Sequence, residues 1–191
     1  YMDYIRTSRP VSSVIKRQIE TEFLKEASQL LSRRNCTNYN IPMLMYNDLY
    51  WGSSGMLCGN AYILLWAFGQ TGDPQYRDAA LDILEWIGGR NPVSRVFITG
   101  YGDYLHGTDH YSFYMFDHRN PVPGYLCGNI NHHLNFLNSY IQYPWKFYMN
   151  LQNAGLLEPC IHWQAQMCFL LGYFAWDLNT PADINSDGLV N

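Results

Sequence analysis

The chain reads as an all-α protein. Several stretches carry apolar residues at three- and four-residue spacing, no stretch alternates apolar and polar residues convincingly, and glycine, proline and capping residues punctuate the joins. Residues 11–34 form the first expected helix. Val14, Ile15, Ile19, Phe23, Ala27, Leu30 and Leu31 line one face, with Lys, Arg and Glu on the other. Residues 35–50 interrupt the pattern and include Pro42. Residues 55–68 make a second helix, apolar almost all round, which predicts deep burial.

Thr71-Gly72-Asp73-Pro74 is a stop and restart, because Asp73 is a good N-cap and Pro74 suits the first helical position. A third helix over 74–87 turns Tyr76, Ala79, Ala80, Ile83, Leu84 and Ile87 inward. Asn91-Pro92 is expected to end it, since proline cannot donate to the ladder and drives its predecessor from the helical region. Gly100 and Gly102 then flank Tyr101 in a backbone able to turn tightly. The loop beyond carries Asp103, His106, Asp109, His110, Tyr111, Asp117, His118 and Arg119. Loops of this length in a compact domain are usually functional. Polar groups among aromatics suit a sugar, whose faces stack on rings while its hydroxyls take hydrogen bonds. Residues 129–135 are polar, weakly helical segments run on to 149, and a last helix spans 158 to about 176. Ile161, Ala165, Cys168, Phe169, Leu171 and Phe174 are among its apolar positions.

A length of 191 residues allows a sizeable core in one or two domains. The net charge of −4 and the lack of a Lys/Arg stripe after Arg33-Arg34 argue against a nucleic-acid surface. The longest apolar run, 167–176, is too short to span a bilayer, and the opening residues Tyr1-Met2-Asp3-Tyr4 have no signal-peptide core. The five cysteines lack C-x-x-C spacing and are expected as small buried hydrophobes. Cys160 and Cys168 on one helix would lie ~12 Å apart, beyond the ~7 Å reach of a disulfide. The six histidines, all between His106 and His162, show no zinc-ligand spacing, and no G-x-S-x-G elbow is present.

Gly89-Arg90-Asn91-Pro92 followed by Val96-Phe97-Ile98-Thr99-Gly100-Tyr101-Gly102 resembles the segment of family 9 glycoside hydrolases (cellulase-type enzymes) that precedes their His-His-Arg substrate loop. Trp51-Gly52-Ser53-Ser54, Thr71-Gly72-Asp73 and Tyr76 extend the resemblance, which covers residues 51–176 or so. It implies a barrel of six helical hairpins, (α/α)6, of which residues 1–178 would be roughly the C-terminal half. It also implies a secreted enzyme that inverts configuration while hydrolysing a β-1,4-glucan or related β-glycan, with no cofactor for catalysis.

Inversion needs one carboxyl to protonate the leaving oxygen and another to activate water on the opposite face of the ring. The family's acid lies in Asn-Glu-Val-Ala-Ile-x-x-Asn-Ala, and Leu157-Glu158-Pro159-Cys160-Ile161-His162-Trp163-Gln164-Ala165 falls in that place. The resemblance therefore makes Glu158 the general acid and Trp163 a substrate-contacting aromatic, with Gln164 replacing asparagine. Read physically, Pro159 at a first helical turn makes Glu158 an N-cap. The helix dipole there favours carboxylate, so an acid would need burial or a neighbouring carboxylate to keep its proton. A plain capping role is the alternative. Trp51 is, by the resemblance, a substrate-stacking aromatic; a plug between helix ends is the other reading. Gly55-Met56 is plainer than the family's usual continuation.

Counting back from Pro121-Val122-Pro123-Gly124, the His-His-Arg position falls on Asp109-His110-Tyr111, which keeps a substrate-binding His110 and puts Tyr111 in place of arginine. A second register, Asp117-His118-Arg119, leaves almost no spacer. Tyrosine cannot replace the donors and charge of a guanidinium. Nothing matches the family's Asp-Ala-Gly-Asp segment, which carries the catalytic base, so this stretch alone would hold the acid without the base and be inactive. The rival readings are a non-catalytic carbohydrate-binding relative, an exo-acting β-glycosidase or glucosaminidase, and a purely structural helical domain.

Residues 179–191 read as a linker, Thr180-Pro181, and the opening of a calcium loop. Asp183, Asn185 and Asp187 stand at positions one, three and five, Gly188 permits the turn, and Leu189 would give its carbonyl. This resembles the start of a dockerin repeat, which implies weak calcium binding here and, for a complete repeat, a cohesin-type partner. The sequence stops before the bidentate acid at position twelve; a polar tail is the alternative.

Overall fold

The computed structural model of the chain describes residues 1–43, 48–50, 52–102, 123–128 and 160–179. Five helices are present among them: α1 Met2–Arg6, α2 Ser13–Arg34, α3 Ser53–Thr71, α4 Pro74–Ile87 and α5 Ile161–Asn179. The one β-feature among these residues is an isolated antiparallel bridge between Ile98 and Leu126.

Helix α3 is the hub, packing against α2, α4 and α5. Its all-round apolar sequence has the expected consequence, since Leu57, Cys58, Ala61, Leu64, Leu65 and Ala67 are all buried. Phe23 of α2 meets Trp66 of α3 with ring centroids 5.5 Å apart. At the α3–α4 joint, Gly72 adopts φ +70° and its N–H caps Phe68 O, then the Asp73 carboxylate accepts from Gln75 N at 3.0 Å. Local chemistry alone fixes this turn.

Helix α4 buries Ala79, Ala80, Ile83, Trp86 and Ile87, with Tyr76 and Leu84 half-covered at its flanks. It also buries Asp82, which sequence patterning did not single out. The Asp82 carboxylate receives the Arg34 guanidinium from the end of α2 and the Arg90 guanidinium from beyond α4. Arg90 also pairs through Nε with Glu85 at 2.7 Å.

Helix α4 ends at Ile87, where the sequence placed its end, but the stop is not made by Pro92: Gly88 is the C-cap and Gly89 takes φ +119°. The organiser is Asn91. Its amide donates to Trp86 O and Arg95 O, both at 2.7 Å, while its carbonyl accepts from Val93 N and Arg95 N, both at 3.2 Å. One buried carboxamide thus holds the whole 86–95 turn, and Pro92 sits within it.

Helix α5 buries Trp163, Met167, Leu170 and Phe174, a stripe at spacings of four, three and four that lies on α3. Ile161, Ala165, Cys168, Phe169 and Leu171, apolar in sequence, lie on its exposed side. The helix is apolar all round, so periodicity could not choose the face. The helix starts at Ile161, three residues later than the expected start at Glu158. Cys160 rather than Glu158 takes the N-cap position, its carbonyl accepting from Trp163 N and Gln164 N, both at 3.1 Å. Glu158 itself lies outside the described residues. None of the five cysteines is in a disulfide: Cys58 and Cys127 are buried as expected, whereas Cys36 and Cys168 are exposed. Burial pushes the Cys58 and Cys127 thiols up to about 12.

Candidate active site

The N-terminal ends of α3 and α5 meet, and a cleft opens between them. Gly52 is the left-handed N-cap of α3 at φ +78°, and Ser53 N donates back to Tyr50 O at 3.1 Å. The Trp163 indole lies directly on this turn. A Cβ on Gly52 would stand 2.8 Å from its Cε2, and one on Gly55 would stand 2.6 Å from its Nε1, both inside contact distance. The two glycines therefore make the seat for the ring. Trp163 is only 4% exposed there and belongs to the core cluster.

Trp163 with Tyr50, Gly52, Gly55, Met56, His162 and Gln166 lines an open cleft of about 290 Å³. The Tyr50 hydroxyl donates to Met56 Sδ at 3.3 Å, and the exposed His162 ring stands edge-on to Trp163 at 5.4 Å. This wall is amphipathic: aromatic and thioether surface with a phenol, an imidazole and a carboxamide at its rim. None of these lining residues is a carboxylate. What the described wall can do is bind, by ring contact plus hydrogen bonds.

A short ribbon supports the wall. Thr99 N donates to Tyr125 O at 2.8 Å, the Thr99 hydroxyl accepts from Tyr125 N at 2.8 Å, and Cys127 N donates to Phe97 O at 2.8 Å. Leu126 faces the other edge, where the Gln164 carboxamide takes both of its backbone groups: Leu126 N donates to Oε1 at 2.8 Å, and Nε2 donates to Leu126 O at 3.0 Å. Gly128 O then accepts from Ser54 N at 3.4 Å, joining the ribbon to α3. Gly100 and Gly102, at φ +68° and +77°, take the left-handed turn expected of them. The Gly100 Cα packs so close that a Cβ would reach Pro123.

Of the residues singled out from sequence, Trp163 is placed by the structure, in the seat just described. Trp51, His110, Tyr111, Glu158, Asp183, Asn185, Asp187 and Leu189 lie outside the described residues. Trp51 immediately precedes Gly52, and Glu158 stands three residues before the first residue of α5. Sequence reasoning missed Tyr50, Met56, His162 and Gln166 in the wall and the clamp made by Gln164. The available signal was the pair Gly52 and Gly55, spaced one helical turn apart beside a Trp-Gly-Ser motif. Among the described residues, no three or more His, Cys, Asp or Glu side chains gather as a metal site. No helix among them is long and apolar enough to cross a membrane.

Helices packed around α3, with a cleft at helix N-termini, make this chain part of an (α/α)6 barrel of the glycosidase kind. The chain belongs to glycosyl hydrolase family 9, whose sequence profile matches residues 6–171. Endoglucanase D of Acetivibrio thermocellus is 26% identical over 206 aligned positions, covering 98% of this chain and 29% of its own. Endoglucanase C of Cellulomonas fimi is 32% identical over 90 residues, 44% of this chain and 8% of that protein. The crystal structure of AaCel9A with a cellobiose-like isofagomine superposes with a TM-score of 0.79 at 25% identity, covering 91% of this chain and 34% of its own. The chain thus spans about a third of the length of such relatives, or less.

Proposed function

We propose that this chain is part of an inverting glycoside hydrolase that cleaves a β-1,4-glucan or related β-glycan, with Glu158 as general acid. The observation that carries the reading is the cleft wall of Tyr50, Met56, His162, Trp163 and Gln166 at the start of α5, in a chain of family 9. Glu158 precedes that helix by three residues, where a carboxyl would serve a glycosidic oxygen held against the wall. Its relatives' names, endoglucanases among them, favour a polysaccharide substrate over a small glycoside.

The proposal has further parts. Trp51, His110 and Tyr111 contact the sugar chain, and Tyr111 in place of arginine alters a subsite that arginine would charge. The catalytic base is an aspartate outside these 191 residues, and the present stretch alone is inactive. It is the C-terminal part of the catalytic domain, and residues 179–191 open a dockerin-like repeat. There Asp183, Asn185, Asp187 and Leu189 offer calcium ligands, which a complete loop would use when joining a cohesin-type partner. The parent acts outside the cell.

The deciding experiment is Glu158→Gln in the full-length enzyme that carries this chain. Gln keeps shape and hydrogen bonding but cannot protonate the leaving sugar. General acid catalysis contributes ~100- to 10,000-fold, so kcat on unactivated β-glucan should fall by that order while aryl glycosides with good leaving groups suffer less. A residue that only braces the chain ahead of α5, whose N-cap position is Cys160, would instead lower the melting temperature and leave turnover intact. Full activity with a lowered melting point overturns the assignment of Glu158.

A further inference from the structure

We infer that Gln164 is a positioning residue for this active site, acting through the backbone of Leu126. The inference rests on the glycosidase reading above and adds a residue to it. The bridge between Ile98 and Leu126 is of the antiparallel kind in which neighbours carry the hydrogen bonds: Tyr125 and Cys127 bond to Thr99 and Phe97, so the N–H and C=O of Leu126 point to the opposite edge. A third strand would ordinarily fill that edge. Here the planar carboxamide of Gln164, with one donor and one acceptor on the same sp² frame, takes its place and meets both groups at 2.8 and 3.0 Å.

The consequence is geometric. Gln164 sits in the first turn of α5, between Trp163 and Gln166 of the cleft wall, and the ribbon it grips is tied to α3 through Gly128 O and Ser54 N. The Trp163 ring is held by Gly52 and Gly55 of α3. Two contacts from consecutive residues, about 100° apart around the helix, therefore set the rotation of the first turn of α5 about its own axis: the indole seat and the carboxamide clamp. Only the clamp is directional, because a ring on glycines can slide but two parallel hydrogen bonds cannot. Asparagine, one methylene shorter, could not span the same gap from the same helix position without moving the helix. Displacements near 1 Å in positioning elements cost catalysis up to ~100-fold.

The test uses the full-length enzyme with Gln164→Met, which fills the volume without a donor or acceptor, and Gln164→Glu, which keeps the acceptor for Leu126 N but sets a carboxylate against Leu126 O. Two readouts are taken below the melting temperature of every variant. Amide hydrogen exchange at Leu126 reports the clamp, and kcat and KM on cellohexaose report the positioning. Gln164→Met should lose Leu126 protection and ~10- to 100-fold in kcat with KM within about twofold. Gln164→Glu should keep Leu126 protection better and recover part of kcat. Unchanged protection in Gln164→Met means there is no clamp, and lost protection with unchanged kcat means the clamp is structural only; either overturns the inference. A wild-type control without turnover on any β-glucan sinks the glycosidase reading itself, and the positioning role with it, whatever the exchange at Leu126 reports.

Discussion

At Gly55 the fold tolerates no side chain. The Trp163 indole occupies the volume a Cβ would need, with Cδ1, Cγ and Nε1 all inside contact range, and Gly55 lies in the first turn of α3, where an alanine would otherwise favour the helix. Packing and propensity are therefore opposed, and packing wins because overpacking costs more than a glycine does. Gly55→Ala should destabilise by ~1–3 kcal/mol despite the better helix former, and urea unfolding would measure it. Tryptophan emission should shift red as the ring is lifted from its seat; a stabilised variant with unchanged emission would refute the seat. This residue-scale fit was invisible in sequence. Trp163 was legible as an aromatic near the chemistry, but its burial against two glycines 108 and 111 residues earlier depends on how α3 meets α5. Gln164 was legible only as a replacement for asparagine, because its partner is a backbone that carries no sequence signal.

Between elements, what local chemistry dictates was readable and what tertiary contacts dictate was not. The Asp73-Pro74 restart and the left-handed Gly100 and Gly102 follow from a few adjacent residues, and the structure has them. The end of α4 at Ile87 was legible and only its cause was not: the Asn91 side chain, rather than the proline ring, closes the turn through four hydrogen bonds. Asp82 is the element-scale case with the largest consequence. It lies on the mostly apolar inner face of α4, where patterning expects no charge, and it exists there because Arg34 from α2 and Arg90 from the following turn both reach it; Arg34 Nε is 2.6 Å from Oδ2. Asp82→Asn removes the charge but not the shape and leaves the half-buried Arg34 facing a neutral amide. Breaking one side of such a partly buried pair costs ~3 kcal/mol, and screening by salt should change that little. A chemical-denaturation comparison in 0.1 and 1 M salt checks both points. A loss under about 0.5 kcal/mol would mean the cluster is a surface decoration.

For the whole molecule, one surface conflicts with independent solubility. Helix α5 turns one apolar stripe to α3 and leaves the other outward: Ile161 is 90% exposed, Trp176 78%, and Phe169 and Leu171 more than a third each. Lone exposed hydrophobes are ordinary, but several on one helix are a patch, and patches drive association. In a closed barrel of helical hairpins every helix is flanked by neighbouring helices, and this chain spans about a third of the length of its barrel relatives. The 191 residues on their own are therefore expected to associate or to populate a loosely packed state that binds a hydrophobic dye, even though the α2–α3–α4 core is dense. Two substitutions separate the patch from the rest of the chain. Ile161→Lys and Trp176→Glu fall outside the buried stripe of Trp163, Met167, Leu170 and Phe174, so they should raise the monomer fraction in sedimentation velocity with little loss of stability. If the unmodified chain unfolds cooperatively as a monomer at micromolar concentration, the exposed face of α5 needs no cover and the argument from the barrel fails. If instead the double variant remains as associated as the parent, the association arises elsewhere on the molecule, and α5 is not its cause.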